Sequence, residues 1–249
     1  MITQIYEIQN PHEAEICINA KVDHIGSILP SQENWQQPMV KEVILLSSGT
    51  KVKNSIIPLF MEIETIYSVL DYYRPHCIHF CENLTDIDGN QKNLDKIIIY
   101  QSKIKAKFPE IKIIRSIPIP QQGFFPYFPS LKIATLLEKV SDYFLTDTWL
   151  SQSPVNGYIG ITGQTVDWKI ARKLVQKSNI PVILAGGLSP DNVYSTLIRV
   201  APAGADSCTL TNQMNREGKP IRFKKNSLKV QEFVQEVRRA EQDLLIKGW

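Results

Sequence analysis

The chain has 249 residues, of which 43% are hydrophobic and 21% are charged, a composition typical of a folded globular protein. Its formal net charge of +3 gives no support to nucleic-acid binding, which normally requires a clustered basic surface. No apolar run reaches the ~18 residues that span a membrane, and the amino terminus lacks the basic start and apolar core of a signal peptide. We therefore expect a cytoplasmic protein that binds neither nucleic acid nor membrane.

The four cysteines, Cys17, Cys77, Cys81 and Cys208, show no paired spacing. Cys77, His79 and Cys81 share one face of a predicted strand, but an extended backbone spaces them too widely to close on one metal ion. We expect buried, reduced thiols and no metal site.

Short β-branched apolar runs recur along the chain, and several are apolar on both faces, as buried parallel strands are. Segments with helical periodicity lie between them. Residues 39–46 fit either a strand or the apolar face of a helix. The predicted strands are 4–8, 23–29, 55–60, 77–80, 111–117, 143–147, 181–187 and 205–210. The predicted helices are 11–21, 39–46, 62–73, 94–108, 131–140, 167–178, 190–200 and 227–245.

Counting residues 39–46 as a helix gives eight strands and eight helices in strict alternation. With right-handed crossovers, this order predicts an α/β protein that is a single (β/α)8 TIM barrel over residues 1–249. A doubly wound open sheet is the rival architecture. In a barrel the βα loops converge at the carboxyl ends of the strands, so functional residues are expected there.

Two glycine-rich loops follow the sixth and seventh predicted strands. The first, GITGQTVDW, contains Gly160 and Gly163, which let the backbone turn tightly and present N–H groups to an oxygen-rich ligand. The second, within VILAGGLSPDNV, places Gly186–Gly187 immediately before a helix start. Glycine turns beside helix N-termini form the recurrent phosphate site of such barrels, although tight βα turns without a ligand have the same composition.

The sequence from Tyr143 to Asp206 closely resembles the phosphoribosylanthranilate isomerase family of tryptophan biosynthesis. Its segments LTDT, GITGQTVDW and PVILAGGLSPDNV follow the family's strand ending in Leu-Asp, its Gly-x-Gly-Lys-Thr-Phe-Asp-Trp loop and its Ala/Ser-Gly-Gly-Leu-x-Pro-x-Asn-Val turn. The segments NPHEA and KVDHIGSIL match more weakly, and the middle of the chain matches only in the order of its elements. The resemblance implies one (β/α)8 barrel without metal or organic cofactor, and we expect a monomer or a homodimer.

The resemblance also implies an Amadori rearrangement, in which a phosphorylated aminoribose ring opens and a proton shift gives a 1-deoxyribulose product. Such a reaction needs an acid at the ring oxygen and a base for the proton on the second carbon. Asp147 stands at the family's aspartate position and is the expected general acid. The residues expected to bind the substrate or its phosphate at the glycine loops and after strand eight are Gly160, Gly163, Gln164, Thr165, Gly186, Gly187, Cys208 and Thr209.

The base is where this sequence departs from the family. The family's first strand reads Lys-Ile-Cys-Gly-Ile-Thr, and its cysteine takes the proton. Here QIYEIQ places Tyr6 at the cysteine and Glu7 at the glycine. A tyrosine with a pKa near ~10 is a poor base at neutral pH. Glu7 is the fallback base, yet strand alternation points it away from the barrel mouth if Tyr6 points inward.

Further departures concern the groups that bind the substrate. The family carries an arginine on the second βα loop near the substrate carboxylate, where Asn34 or a neighbour stands here. Its Ser-Ser-Gly after strand eight becomes Cys208-Thr209-Leu210, whose backbone amides remain available, although a left-handed Leu210 would cost ~1 kcal/mol or more. Arg115, at the family's strand-five lysine position, fits either a contact with a ligand carboxylate or phosphate, or a salt bridge inside the barrel.

Two functions fit these features. The first is an isomerase that performs an Amadori-type aldose–ketose conversion of a phosphoribosyl amine. The second is a non-catalytic or differently catalytic phosphosugar-binding barrel, a diverged paralogue in which Tyr6 stacks on a ligand ring. Asp147 and both glycine loops favour the isomerase, and the lost cysteine favours the second function. Either protein would bind a phosphorylated sugar amine.

Overall fold

The computed structural model describes residues 1–125, 127–246 and 248. Eight parallel strands close into a barrel in chain order, with the last strand paired to the first. The predicted (β/α)8 barrel is confirmed, and the open sheet is wrong because an open sheet would leave two unpaired edges. The strands are β1 Ile2–Tyr6, β2 His24–Leu29, β3 Lys53–Pro58, β4 Cys77–Phe80, β5 Lys112–Pro120, β6 Tyr143–Trp149, β7 Val182–Leu184 and β8 Gly204–Ser207.

One main helix follows each barrel strand. Residues 39–46 lie within the second helix, where Val40, Val43 and Ile44 are buried, so their apolar character marks one helical face. A short 3-10 turn at Glu138–Val140 extends the fifth helix. The helices are α1 Pro11–Asn19, α2 Pro38–Ser48, α3 Ile63–Tyr73, α4 Asp95–Lys107, α5 Ser130–Leu137, α6 Trp168–Lys177, α7 Pro190–Val200 and α8 Ser227–Ile246.

Strand alternation divides the apolar side chains into an outer and an inner set. Outward-facing residues such as Ile5 and Ile25 pack with Leu197 and Phe233 of the surrounding helices, and all four are fully buried. Inward-facing residues form a separate cluster inside the barrel. Because successive strand residues point to opposite faces, Ile5 belongs to the outer set and its neighbour Tyr6 to the inner one.

An antiparallel hairpin, β9 Asn212–Met214 and β10 Pro220–Lys225, lies between β8 and α8 and was not predicted. Most of its residues are exposed or partly exposed, so it lacks the buried alternation by which strands are recognised. The buried Lys225 anchors it, since Nζ donates to the carbonyl of Cys208 at 2.8 Å and to Oδ1 of Asn212 at 2.6 Å. The eighth strand was predicted to extend to residue 210, but it ends at Ser207 and Thr209–Thr211 form a 3-10 turn. Leu210 lies in this turn and does not adopt the left-handed conformation.

Within the described residues, no helix is both long and apolar enough to cross a membrane. The predicted domain limits of 1–249 include positions 126, 247 and 249, which lie outside the described residues. Those limits stay a prediction.

Candidate active site

A pocket opens at the carboxyl ends of the barrel strands, among the loops after β6, β7 and β8. Among the described residues, the charged side chains that line it are Asp147, from β6, and Asp206, from β8. His79 and Cys81 line it as well, but no group of three His, Cys, Asp or Glu side chains in the described part of the chain could hold a metal ion. The pocket thus brings two carboxyl groups together at one end of the barrel.

Asp147 is partly buried at the end of β6, where its Oδ1 accepts a hydrogen bond from the backbone N–H of Thr148 at 3.0 Å. Burial raises the pKa of Asp147 to about 7, and this hydrogen bond opposes the rise. Gly160 lies directly against the carboxylate, since a Cβ built there would stand 2.3 Å from Oδ2 of Asp147. The absence of a side chain at Gly160 thus lets the loop cover an acid that is able to hold a proton near neutral pH.

Asp206 is the residue that the sequence reasoning missed. It is 5% exposed, and its Oδ1 accepts a hydrogen bond from Nε2 of Gln4 at 3.1 Å. Burial raises the pKa of Asp206 to about 8; the Gln4 hydrogen bond opposes this rise, and the charge of Asp147 adds to it. The available signal was an aspartate in a strand of otherwise small residues. Burying an ionisable group in a strand is costly, so such a residue is a candidate for a functional role.

Tyr6 lies inside the barrel with its ring stacked on His79, at 5.2 Å between ring centroids and 29° between planes. The ring fills the space above Gly26, where an added Cβ would stand 1.8 Å from Cε1 of Tyr6. Burial raises the pKa of Tyr6 well above its ordinary value, so the hydroxyl stays protonated. Tyr6 therefore occupies space beside the carboxyl groups but is unsuited to act as a base.

Glu7 is removed from the pocket, which corrects its assignment as the fallback base. Its backbone is left-handed, with φ of 66°, a conformation that costs a non-glycine residue ~1 kcal/mol or more. Its carboxylate accepts hydrogen bonds from Nε of Arg222 at 2.8 Å and from Nδ2 of Asn212 at 3.2 Å. Glu7 therefore ties β1 to the β9–β10 hairpin, and its carboxylate is taken up by Arg222 and Asn212.

Arg115 is also removed from the pocket, which corrects its assignment as a ligand contact. It is fully buried, and its guanidinium forms a two-pronged ion pair with Glu82, with 2.7 Å between Nη1 and Oε1. The guanidinium also lies 5.6 Å from the centre of the Phe80 ring. Arg115 is thus the salt-bridged barrel residue that was the alternative interpretation.

Glu82→Gln is expected to lower the free energy of unfolding by about 3–5 kcal/mol, because it leaves the buried guanidinium of Arg115 without its counter-charge. Chemical denaturation measures this. The matched control is Glu217→Gln, which breaks an ion pair of 3.1 Å between Glu217 and Lys219. The side chain of Glu217 is 70% exposed and that of Lys219 is 75% exposed. That control is expected to change stability by less than about 1 kcal/mol. Equal effects of the two substitutions would contradict the assignment of Arg115.

The predicted binding residues divide into those that line the pocket and those that support it. Gly163, Gly186, Gly187, Cys208 and Thr209 line the pocket. Gly186 and Gly187 stand just before α7, which begins three residues after Gly187, and backbone N–H groups at the start of a helix are suited to bind an anion.

Gln164 and Thr165 support this arrangement behind the residues that line the pocket, and their assignment as ligand contacts stays a prediction. Gly187 has φ of 60°, and a Cβ built there would stand 2.7 Å from the carbonyl carbon of Gln164 and 2.8 Å from the nitrogen of Thr165. The carbonyl of Gln164 also accepts a hydrogen bond from the hydroxyl of Thr148 at 2.5 Å. The two glycine loops therefore pack backbone to backbone, and Gly160 contributes through its contact with Asp147.

The fold and the site together define a (β/α)8-barrel enzyme with two buried carboxyl groups in a pocket beside glycine-rich loops. A family model described as N-(5'phosphoribosyl)anthranilate (PRA) isomerase matches residues 97–236 of the chain. The protein belongs to this isomerase family.

Individual members of the family cover nearly the whole chain. The N-(5'-phosphoribosyl)anthranilate isomerase of Methanosarcina acetivorans is 24% identical over 241 residues, which cover 94% of this chain and 92% of that protein. The crystal structure of the Thermotoga maritima isomerase gives a TM-score of 0.68 at 18% identity, covering 96% of this chain and 100% of that one. A phosphoribosyl anthranilate isomerase in complex with reduced 1-(o-carboxyphenylamino)-1-deoxyribulose 5-phosphate gives 0.66 at 17% identity, with the same coverage. At these identities the structural likeness shows the fold.

Proposed function

We propose that this protein catalyses the Amadori rearrangement of a phosphoribosyl amine, with Asp147 as general acid and Asp206 as general base. The observation that carries the assignment is the meeting of two carboxyl groups in one pocket, both with a raised pKa, beside the backbone donors of Gly163 and Gly186–Gly187. A non-catalytic phosphosugar-binding barrel, the alternative function, would have no use for two buried acids at this point.

The first step opens the sugar ring. With the phosphate held by the backbone amides of the loops after β7 and β8, the ring lies above the two carboxyl groups. Asp147 gives its proton to the ring oxygen, the bond between that oxygen and the first carbon breaks, and the amine nitrogen becomes an iminium cation. A carboxyl group whose pKa is raised to about 7 still holds a proton to give near neutral pH.

The second step moves the proton between the first two carbons. Asp206 takes the proton from the second carbon, which the neighbouring iminium makes acidic, and returns it to the first carbon. Asp147, now ionised, receives the proton of the 2-hydroxyl as the ketone forms. Both carboxyl groups end as they began, so the reaction consumes no other reagent.

Asp206 has the higher of the two pKa values, so the single proton that the pair holds near neutral pH lies mostly on Asp206. The reaction as proposed starts from the less populated form, in which Asp147 holds that proton and Asp206 is ionised. Over the range between about pH 7 and about pH 8 the pair holds close to one proton. The iminium formed by ring opening lowers the pKa of a carboxyl beside it, which keeps Asp206 ionised while it takes the proton from the second carbon. In this assignment the base is an aspartate on β8, the strand paired with β1, whereas the family's cysteine stands on its first strand.

Tyr6→Phe is expected to leave kcat/KM close to that of the wild type. The substitution keeps the ring on His79 and above Gly26, and it removes a hydroxyl whose nearest partner, Oγ of Ser55, is 3.4 Å away. Steady-state kinetics measure the effect. A loss of about 100-fold or more would identify Tyr6 as the base and remove Asp206 from that role.

The direct test of the proposed function is turnover of freshly made phosphoribosyl amines. Phosphoribosylanthranilate and phosphoribosylaniline, each prepared immediately before use, are followed to their 1-amino-1-deoxyribulose 5-phosphate products. The expected result is product formation that depends on Asp147. Failure to convert either compound above the rate without enzyme would overturn the proposal.

A further inference from the structure

The pocket has two ends of different chemistry. One end, which the proposed function assigns to the phosphate and which is called the phosphate end, is lined by Gly187, Cys208 and Thr209, after β7 and β8. The apolar end, across the barrel, is formed by Ile28 and Ile57 of β2 and β3 together with Leu59. With the sugar ring at Asp147 and Asp206 and its phosphate at the phosphate end, the substituent on the amine nitrogen lies at the apolar end.

The pocket offers an anionic substituent no favourable charge. Among the described residues, the charged side chains that line it are the acids Asp147 and Asp206. His79 lines it too, but burial lowers the pKa of His79 to about 3, so the ring is neutral at physiological pH. A carboxylate placed at the apolar end would therefore lose its hydration, gain no cation and face two acids.

The cations behind the pocket wall already have partners. Arg115 is paired with Glu82 beside Phe80, on the outer face of the barrel strands, and Arg222 is paired with Glu7 at 2.7 Å. Lys225 is buried behind the phosphate end, where its Nζ binds a backbone carbonyl and an amide oxygen. Recruiting any of them to the apolar end would leave a buried partner unpaired, which is costly.

The loop between β2 and α2 brings no cation to the apolar end. Its sequence, PSQENWQQ, contains no lysine or arginine. The loop is held towards α3, since Nε2 of Gln32 donates to Oγ1 of Thr65 at 3.1 Å and the ring of Trp35 packs edge-on against Tyr72 at 5.5 Å. Asn34 is exposed on this loop and does not line the pocket.

We propose that the amine substituent taken by this site is an uncharged aromatic or aliphatic group, in preference to a carboxylate-bearing ring such as anthranilate. The proposal rests on the proposed function for the position of the sugar. A neutral ring gains from burial against Ile28, Ile57 and Leu59, whereas the carboxylate of anthranilate is desolvated there without a partner.

The binding test uses two stable product analogues that differ only in the carboxyl group. They are reduced 1-(phenylamino)-1-deoxyribulose 5-phosphate and its o-carboxyphenylamino counterpart, titrated calorimetrically into the wild-type protein. The expected result is about 100-fold tighter binding of the phenyl compound. Equal affinity, tighter binding of the carboxylated compound, or no binding of either would overturn the inference.

Turnover separates this inference from the proposed function. A kcat/KM that is higher for phosphoribosylaniline than for phosphoribosylanthranilate supports both. A higher value for phosphoribosylanthranilate overturns the inference and leaves the proposed function standing. If neither is converted while the phenyl analogue still binds tighter, the proposed function fails and the preference of the subsite for a neutral group is retained.

Leu59→Arg supplies the missing cation at the edge of the apolar end, where Leu59 is partly exposed. Leu59→Gln is the matched control, since it is polar and of similar length but uncharged. The arginine is expected to improve the affinity for the carboxylated analogue relative to the phenyl analogue by at least about tenfold, and the glutamine is not. An equal shift in both variants would overturn the inference, because the preference would then not depend on charge.

Discussion

Replacing Asp147 with Asn is expected to lower kcat/KM by about 10²- to 10⁴-fold, the usual contribution of a positioned general acid. Asn has nearly the same shape and can still accept the hydrogen bond from Thr148, but it has no proton to give to the ring oxygen. The phosphate end is untouched, so the affinity for a reduced product analogue is expected to change little. Steady-state kinetics and calorimetric titration measure the two quantities.

The matched control is Asp71→Asn, an exposed carboxylate on α3 outside the barrel. It is expected to leave both turnover and affinity unchanged. An Asp147→Asn variant that keeps kcat/KM within about tenfold of the wild type would contradict the assignment of the acid, since an acid contributes at least ~100-fold.

Replacing Asp206 with Asn is expected to remove activity to a similar degree and, at the same time, to stabilise the fold at neutral and alkaline pH. An ordinary aspartate has a pKa near ~3.9, whereas burial raises the pKa of Asp206 to about 8. Asn is neutral, and its side-chain oxygen can still accept from Gln4.

The sign of the stability effect follows from proton binding. Because the folded-state pKa of Asp206 is the higher one, its neutral form stabilises the folded wild type fully at low pH. That stability is lost as the pH rises from ~4, where the unfolded chain ionises, to about 8, where Asp206 itself ionises. The Asp206→Asn variant has no carboxyl group at this position and therefore does not lose stability in this way. Its advantage is expected to grow over that range and to reach the order of a few kcal/mol.

Chemical denaturation of wild type and Asp206→Asn at pH 5 and pH 8 measures this difference. A variant that is inactive because it misfolds would be less stable at both pH values. Lower stability of the variant at pH 8, or activity close to the wild type, would contradict the role of Asp206 as a buried base.

The barrel could be predicted from the sequence because strand and helix periodicities alternate along the whole chain. The segment that became α2 was ambiguous from its apolar residues alone, and the eightfold alternation decided it correctly. The β9–β10 hairpin could not be found in this way. Its residues are mostly exposed and show no alternation of apolar and polar side chains. The hairpin is held by Lys225 and Glu7, whose partners can be identified only in the three-dimensional structure.

Site residues that belong to a recognisable motif could be predicted from the sequence. Residues whose role depends on a partner far away in the sequence could not. Asp147 and the glycine loops stand in recognisable segments, and the structure brings Asp147, Gly163 and Gly186–Gly187 around one pocket. Arg115 could be read two ways, because its partner Glu82 is 33 positions away in sequence. Asp206 was inside a matched segment, yet one sequence does not reveal that it points inward beside Gln4.

The pH dependence of kcat/KM, measured with whichever phosphoribosyl amine is converted faster, tests most directly whether two carboxyl groups carry the reaction. The expected profile is a bell that falls below about pH 7, where both Asp147 and Asp206 become protonated, and above about pH 8, where both are ionised. In Asp206→Asn the bell is expected to disappear with the activity. A rate that rises steadily through pH 9 and is abolished by a thiol reagent would contradict this account, because it would indicate a cysteine base instead of Asp206.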